Sequence, residues 1–134
     1  DKAVELLKEA GVKRLIPLKV SGPFHTALLK PASDKLSKVL ATVEFTDFKL
    51  PLVGNTEATI MEQGRIKELL TRQVMEPVRF YDSIATMKKS GVTDFIEIGP
   101  GKVLSGFIKK IDKSMKIAQV EDITSLSVLL EKKE

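Results

Sequence analysis

Short apolar runs alternate with stretches of helical periodicity along most of this sequence. Three runs predict strands, at 50–53, 95–98 and 117–120. A fourth segment, 14–20, alternates apolar and polar residues, but Pro17 lacks an N–H and confines such a strand to a sheet edge. Strands that alternate with helices indicate an α/β fold with a mainly parallel sheet. Three short strands make a thin sheet whose faces and edges need cover, so we expect further chain to complete it.

Six segments carry apolar residues at the spacing of an amphipathic helix. They are 2–11, a long segment from Thr26, 66–74, 78–91, 103–111 and one near the C-terminus. Pro31 would kink a helix interior but is tolerated in a first turn, so the second helix is expected to begin later than Thr26. Ser125 is the predicted cap of the last helix.

The composition excludes several kinds of site. The 134 residues include no cysteine and one histidine, so no disulfide, Cys-based metal site or His-rich metal site can form. The net charge of +4 is mild, and the sequence contains no block of basic residues, so nucleic-acid binding is not supported. No apolar run approaches the roughly 18 residues of a membrane span. Because the chain starts at Asp1 and enters a helical pattern at once, we expect it to be a fragment.

His25 is the foremost candidate for proton transfer, since histidine exchanges protons most readily near neutral pH. It follows Gly22-Pro23-Phe24, where a strand pattern breaks and a helical pattern begins, and such junctions open onto the crevices of α/β folds. A plain surface or capping histidine is the competing interpretation, which composition alone favours. No Gly-x-Ser-x-Gly elbow accompanies it. Ser21 lacks the flanking glycines. Ser105 precedes Gly106 but lies in the apparent interior of a helix, and both serines are interpreted as structural.

Two further segments have a functional and a structural interpretation. The Gly99-Pro100-Gly101-Lys102 turn ahead of a helix could bind an anion, but it matches no phosphate-binding motif and is better interpreted as a tight strand-to-helix turn. A small basic patch follows at Lys109, Lys110 and Lys113. It is either a solvated helix face or a dock for an acidic protein.

Several short motifs now combine into a recognisable order. They are Val20-Ser-Gly-Pro-Phe-His25, Leu28-Leu-Lys-Pro-Ala32, Gly54-Asn55, Arg72-Gln-Val-x-x-Pro-Val78 and Glu97-Ile-Gly-Pro-Gly-Lys-Val-Leu104. Each is weak alone, but together they span essentially the whole chain. The string resembles the C-terminal part of bacterial malonyl-CoA:acyl carrier protein transacylases.

The resemblance implies a two-step transfer of a malonyl group from coenzyme A, through a serine acyl-enzyme, to the phosphopantetheine thiol of acyl carrier protein. His25 matches the family's general base, and the segment holding Gln73 matches the supplier of the backbone carbonyl that orients the base. Phe24 matches a wall position associated with choice of acyl group, where an aromatic ring implies malonyl preference. No cofactor is implied, and the setting is cytoplasmic fatty acid synthesis.

The resemblance also implies an architecture, an α/β-hydrolase-like acyltransferase core with an inserted ferredoxin-like subdomain. Residues 1–20 would end the small subdomain, and residues 21–134 would belong to the large one. The family's serine, carboxylate-binding arginine and oxyanion-hole glutamine lie upstream of this stretch, and neither Arg72 nor Arg79 matches the arginine. The chain should therefore be inactive without a preceding N-terminal part.

Two alternatives to a malonyl transferase remain. One is a non-catalytic α/β module that binds an acidic partner through the basic patch around Lys109. The other is part of a different serine acyltransferase or hydrolase. The surroundings of His25 separate the enzyme from the module. A base is expected to be buried at a crevice with one ring nitrogen held by a backbone carbonyl, whereas an exposed imidazole without a partner would favour the module.

Overall fold

A computed structural model describes residues 2–17 and 22–131. Within these ranges the chain forms six α-helices and two β-strands. They are α1 (Lys2–Glu9), α2 (Lys30–Ala41), α3 (Ile66–Arg72), α4 (Phe80–Lys89), β1 (Asp94–Ile98), α5 (Val103–Ile111), β2 (Lys116–Val120) and α6 (Ile123–Glu131). Single 3-10 turns, Ala27–Leu29 and Gln63–Arg65, lead into α2 and α3. The proposed boundary at residues 20 and 21 lies outside the described residues.

The strands β1 and β2 pair in parallel, from Asp94 opposite Lys116 to Ile98 opposite Val120. Helix α5 connects them, as parallel pairing requires a crossover. Both α5 and α6 contact β2. The parallel α/β arrangement predicted for 95–120 is thus confirmed, as a small two-stranded sheet.

The strand predicted at 50–53 is wrong. Only Val53 makes an isolated antiparallel bridge, to Ile60, and Leu50 is 78% exposed. Pro51 offers no N–H, and the chain folds back at once: Met61 N–H donates to the Leu52 carbonyl at 2.7 Å. Residues 12–17 also lack regular structure, and the rest of the strand predicted at 14–20 falls largely outside the described residues.

The helix starts follow local chemistry. Helix α2 begins at Lys30, as expected, with Pro31 in its first turn. The cap predicted for the last helix is wrong, because Asp122 rather than Ser125 precedes α6. The Asp122 carboxylate accepts from Ser125 N–H at 2.7 Å, and the Ser125 hydroxyl accepts from Asp122 N–H at 3.0 Å. This reciprocal arrangement is a capping box, in which Ser125 occupies the third helical position.

A small core forms where α3 packs against the preceding loop. Met61, Ile66 and Leu69 are buried there, with Phe45 and Phe48 packed against them. Helix α4 is tied to this region by Thr86, whose hydroxyl donates to the Ala58 carbonyl at 2.6 Å, and to α5 by an edge-to-face contact between Phe80 and Phe107.

Much apolar surface near the sheet remains uncovered. Ile98 at the end of β1 is 83% exposed, and Ile96, Val103 and Phe107 are also exposed. The need for cover expected from the thin sheet therefore has a counterpart in the structure. Across the parts of the chain that the structure describes, every helix is too short or too polar to cross a bilayer.

Candidate active site

His25 lies in a turn between the segment at 22–24 and the 3-10 turn that opens α2. Its φ of 59° is in the left-handed region, which is uncommon for a residue with a side chain. The Thr26 hydroxyl donates to the Pro23 carbonyl at 2.8 Å and closes the turn across His25. Strained backbone of this kind persists where surrounding contacts fix it, and it is concentrated at functional sites.

The imidazole ring is exposed but held by two backbone carbonyls. His25 Nδ1 lies 2.8 Å from the carbonyl oxygen of Gln73 and 3.1 Å from that of Glu76. A carbonyl oxygen carries no hydrogen, so Nδ1 must be the donor in both contacts. In the neutral ring the lone pair is then on Nε2, which makes Nε2 the nitrogen able to accept a proton.

The two carbonyls are available because α3 ends at this point. Arg72 is its last residue, Gln73 its C-cap, and Pro77 prevents continuation. The last carbonyls of a helix have no intrahelical donor, and here the ring N–H supplies one. Sequence reasoning missed Glu76. The signal for it was Pro77, since a helix that stops before proline leaves several carbonyls unpaired within one turn.

Helix α2 is fixed to the same end of α3. Ser33 in α2 is 1% exposed, and its hydroxyl donates to the Thr71 carbonyl at 2.8 Å. The side of the site that carries His25 and the side that carries its carbonyl partners are thus joined at a second point.

A network of five charged side chains runs from the loop before α3 to the turn that follows it. Its members are Glu57, Arg65, Glu68, Arg72 and Glu76, and the ion-pair distances that join them run from 2.7 to 3.0 Å. Hydrogen bonds from Arg65 and then Arg72 lower the pKa of Glu57 from its ordinary value of 4.5 to about 2. The same two guanidinium groups lower the pKa of Glu68. Glu57 and Glu68 therefore stay charged at neutral pH.

The other candidate residues make no described contact with the His25 ring. Phe24 is the chain neighbour of His25 and is 62% exposed. Arg79 pairs with Asp82 at 2.9 Å. Ser105 is buried within α5, in keeping with a structural role, and Ser21 lies outside the described residues.

The glycine turn after β1 is occupied by carboxylates of the chain itself. Gly99 and Gly101 have φ of 135° and 83°, values that favour glycine. Gly101 N–H donates to the Glu121 carboxylate at 3.0 Å, and Glu97 accepts from the first amides of α5, that of Ser105 at 2.8 Å. These contacts stabilise a helix N-terminus from within the protein, in agreement with the structural interpretation of the turn.

The curated relatives and the solved structures that resemble this chain agree with one another. The chain is 48% identical over 130 residues to the malonyl CoA-acyl carrier protein transacylase of Bacillus subtilis. The aligned region covers 96% of this chain and 41% of that protein. The crystal structure of MCAT from Streptococcus pneumoniae superposes with a TM-score of 0.89 at 67% identity, covering 98% of this chain and 43% of that one. The chain also superposes on a chain of the structure described as a type II PKS acyl-carrier protein in complex with its malonyl-transacylase. The TM-score is 0.87 at 41% identity, and the match covers 98% of this chain and 43% of that one. No family model matches the sequence.

The curated relatives and the solved structures that the chain resembles belong to one class of protein, the acyltransferases. More narrowly, the chain is homologous to the C-terminal part of bacterial malonyl CoA-acyl carrier protein transacylases, and it spans about two fifths of the length of the curated relatives it matches.

Proposed function

We propose that this chain supplies the general base of a malonyl-CoA:acyl carrier protein transacylase. The observation that carries the proposal is the 2.8 Å contact between His25 Nδ1 and the Gln73 carbonyl. This contact fixes one tautomer and leaves Nε2 as the proton acceptor. The backbone carbonyl takes the place that a carboxylate has in a Ser-His-Asp triad.

The proposed reaction has two half-reactions with the same proton path. Nε2 accepts the hydroxyl proton of a serine on a preceding segment, and the serine oxygen attacks the thioester carbonyl of malonyl-CoA. The carbon–sulfur bond breaks, and the imidazolium returns the proton to the sulfur of coenzyme A. In the second half, Nε2 accepts the proton of the phosphopantetheine thiol of acyl carrier protein, and the sulfur attacks the carbonyl of the serine ester. The ester carbon–oxygen bond breaks, and the imidazolium returns the proton to the serine oxygen.

Several features of the whole enzyme belong to this proposal. Ile98 and Val103 expose apolar surface. The rest of the large subdomain, which would have an α/β-hydrolase-like core, would cover this surface. Residues 1–20 would complete a ferredoxin-like small subdomain. Phe24 would form a wall of the acyl pocket beside the base. Acyl carrier protein and malonyl-CoA are the proposed partners, the reaction needs no cofactor, and we place it in the cytoplasm.

Substitution of His25 in the complete protein tests the base. His25→Asn keeps an amide N–H that can reach the Gln73 carbonyl and tolerates the left-handed backbone, but it has no counterpart of Nε2. We expect both His25→Ala and His25→Asn to lower malonyl transfer from malonyl-CoA to acyl carrier protein by about 10²–10⁴-fold. Full activity of the Asn variant would assign His25 a structural role and refute the proposal.

Two further assays separate the alternatives. The chain without its N-terminal part should transfer no malonyl group, and robust turnover by it would contradict the division of labour proposed here. The complete protein should prefer malonyl-CoA to acetyl-CoA and to branched acyl-CoA esters. A preference for another acyl group would identify a different serine acyltransferase.

A further inference from the structure

We infer that Arg72 is a positioning residue for His25, acting through the turn at 73–76 whose carbonyls hold the imidazole. The inference rests on the proposed function, since it concerns how the base is oriented. It adds a role for the charged network that the malonyl-transfer chemistry itself does not require.

The first step of the argument is the path from the guanidinium to the ring. Arg72 Nε lies 2.7 Å from one carboxylate oxygen of Glu76, and Nη2 lies 3.1 Å from the other. The carbonyl of the same Glu76 accepts from His25 Nδ1. The Arg72 carbonyl also accepts from the amides of Met75 and Glu76 at 3.0 Å each. Side chain and main chain of Arg72 therefore both act on the turn that faces the ring.

The second step is that Arg72 is itself held from two other directions. Its Nη1 lies 2.8 Å from Glu57, in the loop before α3, and 2.8 Å from Glu68, one helical turn back. Glu57 is in turn bound through both oxygens by Arg65, at 2.8 Å each. The planar guanidinium has the fork geometry that such contacts need, so three carboxylates together define the position of Arg72.

The third step concerns what the network contributes. The Arg72 side chain is 33% exposed and its partners are between 29% and 48% exposed. Ion pairs this accessible contribute little to the free energy of folding. The Arg72–Glu76 pair, which links this network to the turn at 73–76, is better explained by geometry than by stability. The low pKa of Glu57 keeps this partner of Arg72 charged in neutral solution.

Kinetics and NMR of the complete protein test the inference. We expect Arg72→Met to lower kcat by roughly ten- to hundredfold, the scale of a misplaced catalytic group, with an unchanged KM for malonyl-CoA. The Nδ1–H proton resonance of His25, detected in protein labelled with ¹⁵N-histidine, should broaden or move upfield. Arg72→Lys should restore little, because an ammonium cannot make the fork contacts.

A second variant guards against misfolding of the first. Glu76→Gln keeps the backbone carbonyl and the side-chain volume and removes only the charge that pairs with Arg72, so a smaller change in the same direction is expected. Lys88→Met is the matched control, since it breaks the ion pair with Asp112 at the far end of α4. This control should keep wild-type kcat and the wild-type His25 resonance.

The outcomes separate this inference from the proposed function. If His25→Asn is inactive while Arg72→Met and Glu76→Gln retain wild-type kcat and the wild-type Nδ1–H resonance, the positioning role is refuted and the base stands. A loss of activity in Arg72→Met that leaves the His25 resonance unchanged also refutes it. If His25→Asn is fully active, the proposed function fails first.

Discussion

Ser33→Ala should destabilise the joint between α2 and α3 far more than its small change in size suggests. The Ser33 hydroxyl is almost fully buried and donates to the Thr71 carbonyl at 2.8 Å. Thr71 lies in the last turn of α3, where carbonyls have no intrahelical donor. Alanine fills nearly the same space but supplies no donor, so the carbonyl loses this partner away from water.

The size of the effect follows from that geometry. An intramolecular hydrogen bond contributes about 1 kcal/mol net, and leaving a buried partner unsatisfied costs about 1–3 kcal/mol. Because Thr71 is only partly buried, we expect a loss of about 1–2 kcal/mol in the free energy of unfolding. In a complete protein of about 300 residues, the length of the curated relatives, the unfolding entropy of about 2.1 cal/mol/K per residue converts this to a fall in Tm of roughly 1.5–3 °C.

Thermal unfolding of the complete protein, followed by circular dichroism, measures this loss. Ser37→Ala is the matched control, since Ser37 lies in the same helix with an exposed side chain. Surface substitutions of this kind change stability by at most about 0.5 kcal/mol. Equal Tm values for the two variants would show that the Ser33 contact contributes nothing and would refute the reasoning.

Two further predictions concern pH and helix capping. The pKa of Glu57 is lower in the folded state, so its stabilising effect is complete above its ordinary value of 4.5 and is lost as the pH falls towards about 2. Because these ion pairs are accessible, the Tm difference between wild type and Glu57→Gln should be small; it should be constant near neutrality and shrink in this acid range, and a pH-independent difference would contradict it. Asp122→Ala should destabilise α6 by about 1 kcal/mol, while Asp122→Asn, which keeps a capping oxygen, should lose little. Hydrogen exchange of the α6 amides measures both, and equal exchange in the two variants would contradict the cap.

The elements that sequence reasoning located correctly are those with strong local signals. The strand–turn–helix unit at 95–111 combines an apolar run, a glycine turn and a helical apolar face, and each signal agrees with the others. The strand prediction at 50–53 was wrong because four apolar residues do not indicate which segment they pair with. Pro51 and the turn-back to Met61 determined its conformation instead.

The candidate site was predictable only in part. His25 was identifiable by residue type and by its place at a junction, and the Gln73 segment by resemblance. The Glu76 carbonyl and the ion pairs of Arg72 depend on how a loop and two helices meet, which local periodicity does not encode. The Ser33 contact is of the same kind, because its two residues are 38 positions apart.

The atoms that hold the imidazole belong to the main chain, and this has a consequence for mutagenesis. Every amino acid brings the same oxygen to position 73, so replacing Gln73 with alanine removes no acceptor. An alanine scan would therefore overlook one of the closest neighbours of the ring. The orientation and the tautomer of the His25 ring depend on where α3 ends and on the turn that follows it. Substitutions disturb them only if they move that part of the main chain.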